Sequence, residues 1–172
     1  MFRRIITLGI VAFCLIGSSL AHAGDWVVES NRDITEAITR NSNGSALGYA
    51  CSRASDECLF FFTPNKLKCT EGSHYTVLIN GGNHNNSQST VCRRLGAGDG
   101  HEFANVFENS NDLRKQLLNA DDSTIGIARG TGSDEFTVSK FGMRGFQSAF
   151  DKVNRQRGER GDRNDRNDRN DR

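Results

Sequence analysis

Cysteine and histidine are the side chains here with the widest chemical reach, and their spacing decides what that chemistry is. Cys51, Cys58, Cys69 and Cys92 are separated as Cx6C, Cx10C and Cx22C, spacings that match no common zinc knuckle. A CxxC pair at a helix start, the arrangement that lowers a thiol pKa for redox catalysis, does not occur. The even set therefore reads as structural disulfides, with three pairings open. Cys51–Cys58 with Cys69–Cys92 is favoured because each bond closes a loop local in sequence, worth about 2–3 kcal/mol in the loop-entropy picture.

His74, His84 and His101 offer no HxH or HExxH pair, so no metal and no cofactor is called for. The Gly-flanked Asp99-Gly100-His101-Glu102 cluster is the one place where a general base or metal could sit. It supports the alternative reading, a small periplasmic hydrolase or metal-dependent enzyme. The "GAGDG" before it lacks the GxGxxG spacing of a dinucleotide site, and Ser45 in "NGSALG" does not fit the GxSxG elbow. Arg129 stands beside glycines in "IARGTGSDEF" and could grip an anion, although a hairpin turn with a cross-strand ion pair is the commoner use of such a stretch. His84, in the polar "GGNHNNSQ" segment, reads as a solvent-facing imidazole in a loop.

The elements that must position these residues begin after a leader. Residues 1–23 open with Arg3 and Arg4, run apolar from Ile5 to Ile16, and end on Ala21-His22-Ala23. That is the pattern of a cleaved secretory signal, and its apolar run falls short of the roughly 20 residues a spanning helix needs. Cleavage leaves no integral membrane segment and places the mature chain in an oxidising periplasm or outside the cell, where disulfides persist. Cys14 leaves with the leader. Residues 24–154 then form one domain, and 155–172 a tail.

Within the domain, apolar residues come in short blocks of strand length: Trp26–Val28, Ala46–Cys51, Cys58–Thr63, His74–Asn80, Ser89–Leu95, "HEFANVF", Ser123–Arg129 and Glu135–Phe141. In "CLFFFT" three consecutive phenylalanines imply a strand with apolar neighbours on both faces, or one at a domain edge covered by the N-terminal arm. "HYTVLIN" and "STVCRRL" form a hairpin with a long tip. Leu113, Leu117 and Leu118 suit a short helix over Asn111–Ala120, and Phe146, Ala149, Phe150 and Val153 share a second helical face. The fold class is mainly β: an antiparallel sandwich or barrel-like sheet with two short peripheral helices, stabilised by disulfides.

The tail carries seven Arg against one Glu and four Asp in residues 155–172. With no apolar surface to bury, its ordering would cost about 1–2 kcal/mol per residue of backbone entropy without return, so disorder is expected. Its alternating signs make it a polyampholyte, and the body lacks a basic footprint, which excludes nucleic acid as a partner. Arg160-Gly161-Asp162 spells the tripeptide integrins recognise, as a chain built of these three residues does by composition.

Gly24-Asp25-Trp26 at the mature N-terminus, with Met143, Gly145, Phe146 and Ala149 in the closing "FGMRGFQSAFDKV", resembles the invasion-associated locus B (IalB) family of exported bacterial proteins. The resemblance implies a small periplasmic or secreted β protein tied to envelope or host interaction and virulence, with no catalytic residues to carry over. The expectation is an exported, non-enzymatic binding protein whose partner is an unknown protein, an envelope component or a host-cell surface. Candidate contact residues are Tyr49, Phe60, Tyr75, Arg129, the "GGNHNNSQ" tip and the Arg160–Asp162 tripeptide.

Overall fold

A computed structural model describes residues 25–65, 68–81, 84–95, 102–120, 123–130 and 135–167. The leader, the Gly-rich stretch 96–101 with Asp99 and His101, and residues 168–172 lie outside the described residues.

β-branched and aromatic alternation builds nine strands: β1 (Val27–Ser30), β2 (Ile34–Arg40), β3 (Ala46–Ser52), β4 (Cys58–Thr63), β5 (His74–Gly81), β6 (His84–Leu95), β7 (Glu102–Phe107), β8 (Thr124–Gly130) and β9 (Phe136–Gly142). They form one sheet in the order β1-β2-β3-β4-β7-β6-β5-β8-β9, with every neighbouring pair antiparallel. Of the two architectures expected, the single curled sheet is the one adopted. Its last strand returns toward its first: Trp26 Nε1 donates to Gly142 O at 3.1 Å, and Ser139 Oγ on β9 donates to Ser45 Oγ, just before β3, at 3.0 Å.

One face of the sheet closes over Leu47, Phe60, Phe62, Val77, Ile79, Ile125, Ile127 and Phe141. Helices α1 (Ser110–Asn119) and α2 (Phe146–Asn167) seal it with Leu113, Leu117, Phe146, Phe150 and Val153. Asn109 caps α1, its side chain accepting from the Asp112 N–H. β4 is central, between β3 and β7. Phe60 and Phe62 point into the main core, while Phe61 joins Ile38 and Val106 on the opposite face. The edge-strand alternative for "CLFFFT" is thereby overturned.

Both disulfides pair as favoured, Cys51–Cys58 and Cys69–Cys92. The first joins directly opposed residues of the β3–β4 hairpin. The second pins the β4–β5 connection to β6, where Gly72 N–H donates to Cys92 O and Cys92 N–H to Ser73 O, both at 2.9 Å. That connection must pass β7 and β6 to reach β5, about 14 Å at strand spacing, so a covalent tether midway fixes the crossing.

Three local readings are corrected. Ile34–Arg40 is a ninth strand, its inward Ala37 and outward Ile38 both fully covered. The "GGNHNNSQ" segment is not a long loop: Asn80 pairs with Asn85 and Gly81 with His84, which leaves two residues between the strands. And α2 is not short; it continues through Asn154 to Asn167, into the segment expected to be unstructured. The buried turns from Phe146 to Val153 supply the costly nucleus, after which each added residue needs little. Ser30 Oγ donates to Gln156 Oε1 at 3.2 Å, and Arg157 Nε to Asp56 Oδ1 at 3.0 Å, so the first turn beyond Asn154 is anchored to the body.

Candidate functional site

Outward-facing residues of β5, β8 and β9 form a groove along β8. On β8, Ile125, Ile127 and Arg129 face the interior, so the small alternates Gly126, Ala128 and Gly130 face out. Their neighbours are larger. Ala128 lies opposite Leu78 of β5 and Val138 of β9, Gly126 opposite Asn80 and Lys140, and Gly130 opposite Phe136. A floor without side-chain bulk between two rows of long side chains makes a trough of about 800 Å³, continued onto β6 by Asn85, Asn86 and Ser87. Among the described residues the exposed large hydrophobics are Leu78 at 46%, Phe136 at 59% and Val138 at 52%; Leu78 and Val138 face each other across the trough, and Phe136 stands one row beyond it on β9. Scattered exposed apolar residues are ordinary; two that face each other across one concavity, with a third adjacent, make this face the candidate site.

The groove is graded in polarity. The row at Ser87–Leu78–Ala128–Val138 is apolar but for one hydroxyl and is followed, beyond the groove, by Gly130–Phe136, while the row at Asn85–Asn80–Gly126–Lys140 carries amides and an ammonium. Among the described residues no carboxylate lies within ion-pair distance of Lys140.

Of the residues singled out from sequence, Asn85, Asn86 and Ser87 of the "GGNHNNSQ" segment line the groove, while the others sit elsewhere and most are structural. Tyr49 and Phe60 are not an exposed patch: at 7% and 1% exposure they stack with Phe150 beneath α2. The Tyr49 hydroxyl donates to Asn154 Oδ1 at 3.1 Å, and burial pushes its pKa up against the opposing fields of Arg157 and Arg114. A second, smaller cleft of about 460 Å³ opens there between Arg114 and Arg157. Asp56 already neutralises Arg157, Arg114 lies over the Phe150 ring, and Asp151 shares the lining.

Tyr75 and Arg129, read separately from sequence, are brought together. The guanidinium lies 3.9 Å from the Tyr75 ring centroid, is 4% exposed and donates through Nη2 to Lys68 O at 3.4 Å. Burial lowers the Arg129 pKa; the Tyr75 pKa is also lowered, chiefly by the Thr70 N–H that its hydroxyl accepts at 3.1 Å. Arg129 thus braces one end of the core and does not present itself to an external anion. Arg160, Gly161 and Asp162 fall in the distal part of α2, their side chains outside the described residues. Asp99 and His101 are also outside them, and among the described residues no three His, Cys, Asp or Glu side chains gather to hold a metal.

The two motifs behind the family resemblance meet in space. Trp26 packs edge-on against Phe146 with centroids 4.7 Å apart, its backbone N–H donates to Arg144 O, and Arg144 Nε donates to Asp25 Oδ1 at 2.8 Å. Gly145, at φ 82°, occupies the left-handed turn that starts α2. These residues buckle the chain's two ends together. No described helix is long and apolar enough to cross a membrane. No family model matches the chain, nor does any curated protein or solved structure.

The groove residues Gly126, Ala128, Val138 and Lys140 escaped the sequence reading. Their signal was present in "TIGIARG", where every second residue is Gly or Ala between large inward ones. Asn85, Asn86 and Ser87 were flagged only as part of a polar tip.

Proposed function

We propose that this chain is an exported, non-enzymatic binding protein whose ligand lies in the β8 groove. The observation that carries this is that Leu78 and Val138, both large, apolar and exposed, stand on opposite walls of one concavity, with exposed Phe136 one row beyond it on the same face. Burying them against a ligand removes apolar area from water at about 25 cal/mol per Å², without rearranging a sheet already paired on both sides of β8. Export is supported by the crosslinking of Cys51, Cys58, Cys69 and Cys92 in pairs, a state that persists in oxidising compartments, and by the leader pattern of residues 1–23. On the resemblance to the invasion-associated locus B family, the ligand comes from the envelope or a host-cell surface.

Gly126→Leu tests the site. A Cβ at Gly126 meets only Asn80 O at 3.8 Å and Val138 Cγ1 at 3.9 Å, so the fold accepts a side chain that fills the trough. Native mass spectrometry of protein recovered from the exporting cell is expected to show a bound species on the wild type that Gly126→Leu lacks. Equal occupancy of the two proteins would overturn the assignment.

A further inference from the structure

Resting on that reading of the groove, we propose that its ligand is a free single-chain anionic amphiphile, an alkyl carboxylate of roughly ten carbons. Three features of the trough select it. The first is the floor. The β8 backbone is paired to β5 from Gly126 to Arg129 and to β9 from Thr124 to Gly130, so it has no ladder of free N–H and C=O groups to offer. A peptide laid over Leu78, Ala128 and Val138 would leave its own amides unpaired against apolar side chains, a desolvation cost that an alkyl chain does not carry.

The second feature is charge. The one charged side chain of the lining is Lys140, which has no carboxylate partner among the described residues and stands in the row where Asn80 and Asn85 add amide donors, while the Leu78 row carries only the Ser87 hydroxyl. One ammonium with flanking amides matches one carboxylate.

The third is length. Lys140 and Phe136 are four residues apart on β9, about 13 Å at strand rise, the reach of a chain of roughly ten carbons. In the bound state the carboxylate sits at Lys140, the tail crosses Ala128 between Leu78 and Val138, and its methyl end leaves the trough to meet the Phe136 ring beside Gly130, one row past the lining residues.

Calorimetry of the full exported chain with sodium decanoate, hexanoate and decyltrimethylammonium, below their self-association concentrations, tests this. Decanoate is expected to bind. Hexanoate, with four half-covered methylenes removed, is expected to bind about 15-fold more weakly. The cationic amphiphile of equal tail is expected to bind at least about tenfold more weakly than decanoate, and Lys140→Met to erase that difference. Thermal melts of Lys140→Met and Gly126→Leu establish that both remain folded.

Decanoate binding that Gly126→Leu leaves unchanged would overturn both the amphiphile and the groove. Absence of decanoate binding, with a native ligand still lost on Gly126→Leu, would overturn the amphiphile alone. Binding to anionic phospholipid vesicles without binding to free decanoate would also overturn it, by assigning the face to a membrane surface.

Discussion

Replacing Leu78 and Val138 together by threonine separates what the fold needs from what a ligand needs. Full burial of a Leu or Val side chain is worth about 1.5–3 kcal/mol. These two are 46% and 52% exposed, so the folded state draws about 0.7–1.6 kcal/mol from each, of which threonine retains part. Threonine keeps a methyl group and the β-branch that strands favour. In a domain of this size 1 kcal/mol moves the melting temperature by about 3–5 °C, and the double variant is expected to melt within about 5 °C of wild type. Phe141→Ala is the control: its ring is 1% exposed in the main core, and its loss costs about 3–5 kcal/mol, more than 10 °C by the same conversion. Circular-dichroism melts give the stability arm and retention on a hydrophobic-interaction column gives the binding arm. Leu78→Thr/Val138→Thr should elute markedly earlier than wild type while melting almost with it. A melting loss like that of Phe141→Ala would show that these side chains hold the fold. Unchanged retention would show that the accessible apolar surface lies elsewhere.

Gly48→Ala is expected to cost about 1–3 kcal/mol in urea denaturation, because its Cβ would lie 2.3 Å from Phe61 Cζ; Gly126→Ala, with open space above it, should be neutral or stabilise by about 0.5–1 kcal/mol. Loss of Cys69–Cys92 by paired serine substitution should cost about 3.4 kcal/mol and loss of Cys51–Cys58 about 2.4 kcal/mol, following their sequence separations of 23 and 7 residues, read from midpoints under non-reducing conditions. Glu108 titrates below the ordinary carboxylate range, held down first by a hydrogen bond from the Ser89 hydroxyl and then by His74, 3.3 Å away. A depressed carboxylate contributes stability above its unfolded pKa and loses it as pH falls through the folded one, so Ser89→Ala should raise the Glu108 midpoint in a carboxyl NMR titration and weaken its acid-side contribution.

What the sequence made legible follows the strength of local pattern. Phe146, Ala149, Phe150 and Val153 repeat at helical spacing, and all four are buried. The cysteine pairs were readable because each is local, one across a hairpin and one from a connection to the next hairpin. β2 was missed because Glu36 and Ala37 dilute the β-branched run in "ITEAITR". The end of α2 was misplaced because its extension depends on Ser30 and Asp56, residues about a hundred positions away. The groove was hidden for a similar reason. Gly126 and Ala128 mean little alone and form a floor only once β5 and β9, distant in sequence from each other, flank them. Tyr49 and Phe60 misled because an aromatic pair looks alike from sequence whether it faces a ligand or an α2 that covers it.

The most direct test of the central claim is a backbone-amide chemical-shift map of the wild-type chain titrated with anilinonaphthalene sulfonate, a probe with apolar rings and one negative charge. The account predicts perturbations centred on Leu78, Ala128, Val138 and Lys140. Perturbations centred instead on Tyr49, Arg114, Phe150 and Arg157 would contradict it and move the site to the cleft beneath α2.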